Sequence, residues 1–367
     1  MTATDTGPLT AAAPQDARPE EVRLVTQDGA VIDVACAPGR SVLDAAADAG
    51  HLLPALCRKG TCGACCATVT SGAYDTDEWS PQALGADRIR AGGTLLCRTR
   101  PRGPLTVSLP YERSRVLTGK IAERTAEVLS LEHLAEDLIR LSVRLHEDEE
   151  HGSGAEFEPG QFAQLRLPGT QEPRAYSYAN APNWDGELEF WIRTRPDGAF
   201  SGPLRARVRP GDTLDVLGPQ GAFGLVETGL RPRWFVAGGT GVAPMLSMAR
   251  RMAEFDEPHP IRFYLSGRTP DELPAAAAVA DLLADLPALE PVFCVKEGAD
   301  ARPWLRTGRL IEVLRADLDA VLRDGSTTPD VYVCGSPGLI DAVERLAVEL
   351  GFPAERVLAE KFATSEV

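Results

Sequence analysis

The sequence of 367 residues contains no run of about 18 apolar residues, so no segment has the length of a membrane-spanning helix. It is poor in base, with 38 Lys and Arg against 53 Asp and Glu and a net charge of −15. A nucleic-acid partner needs clustered cations to displace counterions, and this balance argues against one. Histidine is scarce, five in all, and no Glu-x-x-His pair occurs. No mononuclear-iron or di-iron ligand set is therefore evident, and oxygen activation is not expected on this chain. The first twenty residues, MTATDTGPLTAAAPQDARPE, lack a basic start and an apolar centre, which disfavours a targeting peptide. Residues 1–20 read as a disordered tail, on a chain expected in a reducing cytoplasm. No internal repeat is present. What remains is ordinary globular material, 44% hydrophobic and 25% charged, enough for two or three domains.

In a reducing compartment eight cysteines need a reason other than disulfides. Cys36, Cys294 and Cys334 are scattered, whereas Cys57, Cys62, Cys65, Cys66 and Cys97 fall in one stretch. Cys57-Arg-Lys-Gly-Thr-Cys62-Gly-Ala-Cys65, with Cys97 far downstream, has the C-x4-C-x2-C…C spacing of a plant-type [2Fe–2S] centre. Two irons bridged by two sulfides require a pair of thiolates each, hence four cysteines. Gly60 and Gly63 let the loop wrap tightly and turn backbone N–H groups toward sulfur. A structural zinc site is the alternative, but zinc ribbons show two C-x2-C knuckles and this region has one. Cys66 falls outside the spacing and reads as a small core residue or a spare thiol.

Three textures follow one another along the chain. Residues 21–112 show short strands and turns: EVRLVTQ, Asp28-Gly29 and AVIDVAC form a hairpin pattern, and Ser41 can cap the helix VLDAAADAG. Residues 113–227 read as strands at regular spacing (LTGKIAERTAEVLS, LIRLSVRLH, GQFAQLRLP, GELEFWIRTR, DTLDVLGP), the pattern of a sandwich or barrel. The acidic run Glu147 to Glu156 reads as a solvated loop. Residues 228–367 alternate strand and helix: RWFVAGG, MLSMARRMAEF, IRFYLSG, AAAAVADLLADL, PVFCVKE, VYVCG and LIDAVERLAVEL. That rhythm predicts a parallel sheet covered by helices.

Two further motif sets lie on these strands. Arg174-Ala-Tyr176-Ser177 follows PGQF and precedes GAFSGPL, which begins at Gly198 and includes Ser201. Alone, these residues could be an ordinary barrel surface. Gly238-Gly239-Thr240-Gly241-Val-Ala-Pro244 ends an apolar strand and opens a helix, where free N–H groups can meet a pyrophosphate. A plain strand-to-helix turn is the other reading. Cys334-Gly335-Ser-Pro-Gly also ends a strand, and Glu360-Lys361-Phe362 lies near the C-terminus.

Taken in order, P-G-Q-F, R-x-Y-S, G-x-F-S, the glycine turn, Cys-Gly and the terminal E-K-F resemble the ferredoxin–NADP reductase superfamily. With the cysteine loop in front, the chain is similar to reductase components of bacterial multicomponent oxygenases. SGAYDTDEWSPQAL, LLCRTRPRGPLTVSLPYERSR and FVAGGTGVAPMLSM are most similar to those of soluble di-iron monooxygenases, of methane, propane and alkene type. Ser336 departs from the family's C-G-P-P, which leaves detailed contacts there open.

The resemblance implies a multidomain α+β and α/β fold: a β-grasp ferredoxin domain, an antiparallel β-barrel flavin domain and a Rossmann-like parallel-sheet nucleotide domain. It implies Cys57, Cys62, Cys65 and Cys97 on the cluster. Arg174 would lie on the flavin pyrophosphate, Tyr176 along the flavin and the Ser177 hydroxyl near the hydride-accepting nitrogen. Gly198 and Ser201 would flank the phosphates. Gly238, Gly239, Thr240 and Gly241 would hold the dinucleotide, with Cys334, Gly335 and Phe362 beside the nicotinamide. FAD is the expected flavin, with FMN as the alternative.

NADH gives up two electrons as one hydride, whereas an iron–sulfur centre carries one at a time, so a flavin must stand between them. The expected path runs from NADH to FAD to [2Fe–2S] and on to a separate oxygenase hydroxylase component. An aromatic-ring dioxygenase or phenol-type hydroxylase is the other candidate partner. A redox sensor without turnover is a third reading, separated by NADH-dependent dye reduction. Nucleotide choice turns on the residues after IRFYLSG. Asp271 or Glu272 would favour the ribose 2′-hydroxyl of NADH, and Ser266 with Arg268 would welcome a 2′-phosphate. NADH is expected.

Overall fold

The computed structural model describes residues 18–362, apart from 82, 171, 196 and 299–301. The tail expected at residues 1–20 lies for the most part outside the described residues, although Glu20 already belongs to a strand. Among the described residues no helix is long and apolar enough to cross a membrane. The chain separates into two compact units, Met1–Lys120 and Ile121–Val367.

The first unit is a five-stranded mixed sheet. Glu20–Val25 and Val31–Cys36 form the hairpin, turned at Gly29 with φ +81°, a left-handed value that favours glycine. Glu20–Val25 also pairs in parallel with Leu105–Ser108, which runs antiparallel to Cys66–Ser71. Alternation along the hairpin buries Val22, Leu24, Ile32 and Val34 on one face. The helix Val42–Asp48 packs Val42, Leu43, Ala45 and Ala46 into the same core. Ser41 caps that helix by accepting from the Asp44 N–H at 3.1 Å. Leu117–Thr118 pairs with His51–Leu52, which keeps this stretch with the first unit.

The second unit begins with six antiparallel strands in the order Arg174–Ser177, Phe162–Arg166, Thr213–Gln220, Glu123–Ala135, Leu138–Leu145 and Glu187–Arg193. A bridge between Tyr178 and Phe190 brings the two edge strands together, so the sheet curls into a barrel. Six parallel strands follow, ordered Leu305–Thr307, Leu289–Val295, Ile261–Gly267, Arg233–Ala237, Asp330–Gly335 and Val357–Lys361. Phe235 and Phe263 face the helices Val242–Glu254 and Ala275–Asp281. Trp234, Val236 and Tyr264 face Leu310–Asp324 and Pro337–Leu350 on the other side. Both faces are covered, which is why RWFVA is apolar without alternation. The alanine-rich helix stops at Asp281 rather than running through ADLLADL. Leu282 and Leu283 donate one residue short, to Val279 and Ala280, and this tightening buries Leu282 and Leu286 together.

Barrel and parallel sheet share a continuous core, with Leu138, Ala179 and Trp191 packed among Phe235, Val242 and Leu246. Ser247 donates to the Asn180 carbonyl at 2.7 Å. Arg250 donates to the Ala179 carbonyl at 2.8 Å and to Glu189 at 3.0 Å.

Candidate functional site

Cys57–Cys65 is wound by three left-handed residues, Arg58 (φ +53°), Gly60 (+75°) and Gly63 (+79°). A Cβ on Gly63 would stand 2.4 Å from the Ala83 carbonyl oxygen, and one on Gly60 would stand 2.9 Å from both Trp79 and Arg98. Only glycine fits either place. Arg58 forms an ion pair with Asp44 at 3.1 Å. Cys62, Cys65 and Cys97 are buried and Cys57 is half-buried. The thiols fall into two neighbouring pairs, since Cys57 and Cys62 shift each other's titration most, as do Cys65 and Cys97.

In each pair one sulfur titrates low and the other high. Cys57 is pulled down to about 4, first by the Cys62 thiol, with the Thr61 hydroxyl and the N–H groups of Lys59 and Thr61 adding to it. Cys97 is lowered, first by the Cys65 thiol and also by the Gly60 N–H. The neighbouring cysteine, together with burial, pushes Cys62 and Cys65 up. Lys59 and Thr61 N–H groups lie 3.3 Å from Cys57 Sγ, and the Ala64 N–H lies 3.4 Å from Cys62 Sγ. Among the described residues no three ligating side chains gather for a single ion. Paired thiols under a shell of N–H donors fit a sulfide-bridged pair of irons, each taking one cysteine pair. Cys66 turns away into the strand Cys66–Ser71, with Arg88 Nη1 3.9 Å from its sulfur.

In the barrel, Arg174–Ser177 pairs with Phe162–Arg166, so PGQF and RAYS lie side by side. Strand alternation sets Arg174 and Tyr176 on one face and Ser177 on the other. Arg174 donates to the Pro173 carbonyl at 3.0 Å and keeps a quarter of its side chain exposed. Tyr176 meets the Phe200 ring at 5.2 Å, which draws the GAFS turn against the RAYS strand. Burial raises the Tyr176 phenol, keeping it neutral at working pH. The turn is close-packed at Gly198, where a Cβ would lie 2.3 Å from Ser201 Oγ and 3.2 Å from the Arg195 carbonyl oxygen. The Ser201 hydroxyl accepts from the Arg195 N–H at 3.0 Å and closes its own turn, so backbone N–H groups are what the turn can offer an anion.

The glycine turn sits where strand order reverses, between Arg233–Ala237 and Asp330–Gly335, the position at which open α/β sheets bind ligands. A Cβ on Gly241 would lie 2.2 Å from the Cys334 carbonyl oxygen, and one on Gly335 would lie 3.0 Å from that of Gly238. The Gly238 N–H donates to the Cys334 carbonyl at 3.1 Å, and the Phe362 N–H to the Gly335 carbonyl at 3.0 Å. Gly238, Gly239, Thr240, Gly241, Cys334, Gly335 and Phe362 are thus one construction. The Cys334 thiol is fully buried and raised, first by desolvation and then by the charge of Glu360.

Two residues join this site that sequence reasoning did not single out. Glu360 lies opposite Cys334 in register, its Oε2 enclosed without a hydrogen-bond partner. Burial pushes its carboxyl up to about 8. Arg193, at the end of a barrel strand, reaches within 3.3 Å of where a Gly239 Cβ would be. The terminal E-K-F match contained Glu360, but nothing local marked it as buried.

A cysteine loop built for two irons, a barrel with RAYS beside GAFS and a parallel sheet with a glycine turn at its switch point define a flavoprotein reductase with an iron–sulfur domain in front. Three family models match in that order. They are the 2Fe-2S iron-sulfur cluster binding domain over residues 25–102, the oxidoreductase FAD-binding domain over 125–224 and the oxidoreductase NAD-binding domain over 235–345. The chain is 31% identical to the propane 2-monooxygenase reductase component of Rhodococcus jostii, covering 88% of this chain and 86% of that one. It is 35% identical to methane monooxygenase component C of Methylosinus trichosporium, over 74% and 80%. With the toluate 1,2-dioxygenase electron transfer component of Pseudomonas putida it shares 31% identity, over 92% and 97%. The crystal structure of an Amycolatopsis cytochrome P450 reductase superposes with a TM-score of 0.71 at 26% identity, over 94% of this chain and all of that one. The chain belongs to the family of reductase components of multicomponent oxygenases, and it is an oxidoreductase with [2Fe–2S], FAD and NAD domains.

Proposed function

We propose that the chain passes electrons from NADH to the hydroxylase component of a soluble di-iron monooxygenase, acting in the cytoplasm. When bound, FAD supplies a two-electron acceptor and [2Fe–2S] a one-electron carrier. Cys57 and Cys62 would hold one iron and Cys65 and Cys97 the other. Arg174 would bind the flavin pyrophosphate through its guanidinium fork, and the backbone of Gly198 and Ser201 would flank it. Tyr176 would cover the flavin, and Ser177 would offer its hydroxyl to the hydride-accepting edge. Gly238, Gly239, Thr240 and Gly241 would seat the dinucleotide pyrophosphate at the helix start. Cys334, Gly335 and Phe362 would bound the nicotinamide and exclude water from it.

The observation that carries the reading is the backbone lock between Gly241 and Cys334, which would join the nucleotide turn to the nicotinamide end. The propane and methane monooxygenase relatives favour a di-iron partner. The toluate dioxygenase relative, matched over more of the chain, sustains a second reading with an aromatic-ring dioxygenase as partner. The test is NADH-driven turnover of purified oxygenase components from both classes by the holoenzyme. Coupling to the propane or methane hydroxylase alone supports the proposal, and coupling to the ring dioxygenase alone replaces it.

A further inference from the structure

Past the strand Leu105–Ser108 the chain stays beside its parallel neighbour Glu20–Val25. The Leu109 N–H donates to the Val25 carbonyl at 2.7 Å, and the Gln27 N–H donates to the Tyr111 carbonyl at 2.9 Å. Alternation buries Leu105, Val107 and Leu109. It carries the Tyr111 ring onto the same face, against the core that holds Cys65 and Cys97. On its other side this strand runs antiparallel to Cys66–Ser71 and sets Ser108 against Thr68. Continued by three residues, that register brings Tyr111 to the level of Cys65.

The Tyr111 hydroxyl is enclosed there and has no hydrogen-bond partner among the described residues. A buried phenol gains nothing over a phenylalanine unless its O–H finds an acceptor. Desolvation raises this phenol, and Cys65 is the ionisable neighbour that adds to the rise, so the oxygen keeps its proton and can donate. The backbone already supplies donors to the cysteines: the N–H groups of Lys59 and Thr61 to Cys57, of Ala64 to Cys62, of Gly60 to Cys97 and of Cys97 to Cys65. Lys59, Thr61 and Ala64 stand on the exposed side of the loop. Tyr111 approaches from the core, where Cys65 is buried and a hydrogen bond gains strength from the low dielectric. A reduced cluster carries one more negative charge than an oxidised one. A donor at its sulfur therefore favours the reduced form and raises the potential.

We infer that the Tyr111 hydroxyl donates to the Cys65 sulfur of the loaded protein and raises the reduction potential of the [2Fe–2S] centre from its buried side. The inference rests on the assignment of Cys65 to the cluster and is independent of which oxygenase receives the electrons. Potentiometric titration of the full FAD- and cluster-loaded chain, followed by EPR of the reduced cluster, compares the wild type with Tyr111→Phe. The variant keeps the ring and loses the O–H. Its iron content and oxidised visible spectrum should match the wild type, and its flavin couple should not move. The cluster's reduction equilibrium should fall about threefold to tenfold, or ~30–60 mV lower at ~59 mV per tenfold for one electron. A ring-fluorinated tyrosine placed at position 111 is a stronger donor and should shift the cluster the opposite way, which a packing role would not do. Equal cluster potentials in the wild type and Tyr111→Phe overturn the inference. Should Tyr111→Phe fail to hold the cluster, the fluorinated chain decides, and a potential unchanged or lowered there overturns it. A wild type without the [2Fe–2S] absorption overturns the cluster assignment itself, and the inference with it.

Discussion

Glu360 should make the nucleotide domain lose stability as pH rises. Its Oε2 is enclosed without a partner, and burial pushes the carboxyl up to about 8, whereas an unfolded glutamate titrates near ~4.3. Between those values the folded chain holds a proton that the unfolded chain has released. Stability from this group is fully present below the unfolded value and is lost as pH rises through the folded one. The steepest possible loss is ~1.4 kcal/mol per pH unit. Part of the side chain reaches solvent, so roughly half that slope is expected, or ~2 kcal/mol between pH 5.5 and 8. Glu360→Gln keeps the shape and removes the titration. Urea unfolding of the FAD-loaded protein, followed by tryptophan fluorescence, compares the two chains across that range; Trp234 is buried in the same sheet and reports its unfolding. The gap between variant and wild type should widen with pH in the variant's favour. Parallel pH dependences would refute the idea of an unpartnered buried carboxyl at this place.

Replacing Cys57, Cys62, Cys65 or Cys97 by Ser should abolish or strongly perturb the iron–sulfur absorption, while Cys66→Ser should leave it, as read by visible spectra and iron content. Arg174→Ala should weaken flavin retention by ~1.5–3 kcal/mol, the range of one charge-assisted contact, measured by equilibrium dialysis with FAD. The same experiment identifies the released flavin by mass. Gly241→Ala would press a methyl to 2.2 Å from the Cys334 carbonyl oxygen, so the two strand ends must part. A loss of nucleotide affinity of about tenfold or more is expected from NAD+ titration, with the cluster absorption unchanged.

Local chemistry made much of this molecule legible. The cysteine spacing pointed to paired thiols because only a two-iron centre needs that interval. The glycines Gly60, Gly63 and Gly241 stand where backbone approaches backbone, and sequence exposes such constraints directly as glycine. Apolar runs without alternation announced strands covered on both faces, and RWFVA is one. Legibility failed where a residue's setting is made by distant strands. Glu360 sits in a short strand that reads as partly exposed, and only its register opposite Cys334 encloses it. The alanine-rich segment promised a longer helix because intrinsic propensity favours it, but burying Leu282 and Leu286 together tightened the chain after Asp281.

The cavity beyond the parallel strand ends shows how pairing gathers charges that are scattered along the chain. Along the chain, Arg268 competes only with its neighbours Asp271 and Glu272, and the acids outnumber it. Parallel pairing changes the comparison, because it brings Lys296 and Arg309 from the next two strand ends to the same rim. It also leaves Glu272 tied to Arg268, outside the cavity lining. Net charge and local charge differ: a chain of −15 overall carries a cavity whose charged lining, among the described residues, is basic. A phosphate responds to the field at its own site, which is set by the few charges within a screening length, ~10 Å in ordinary buffers, rather than by the sum over the chain.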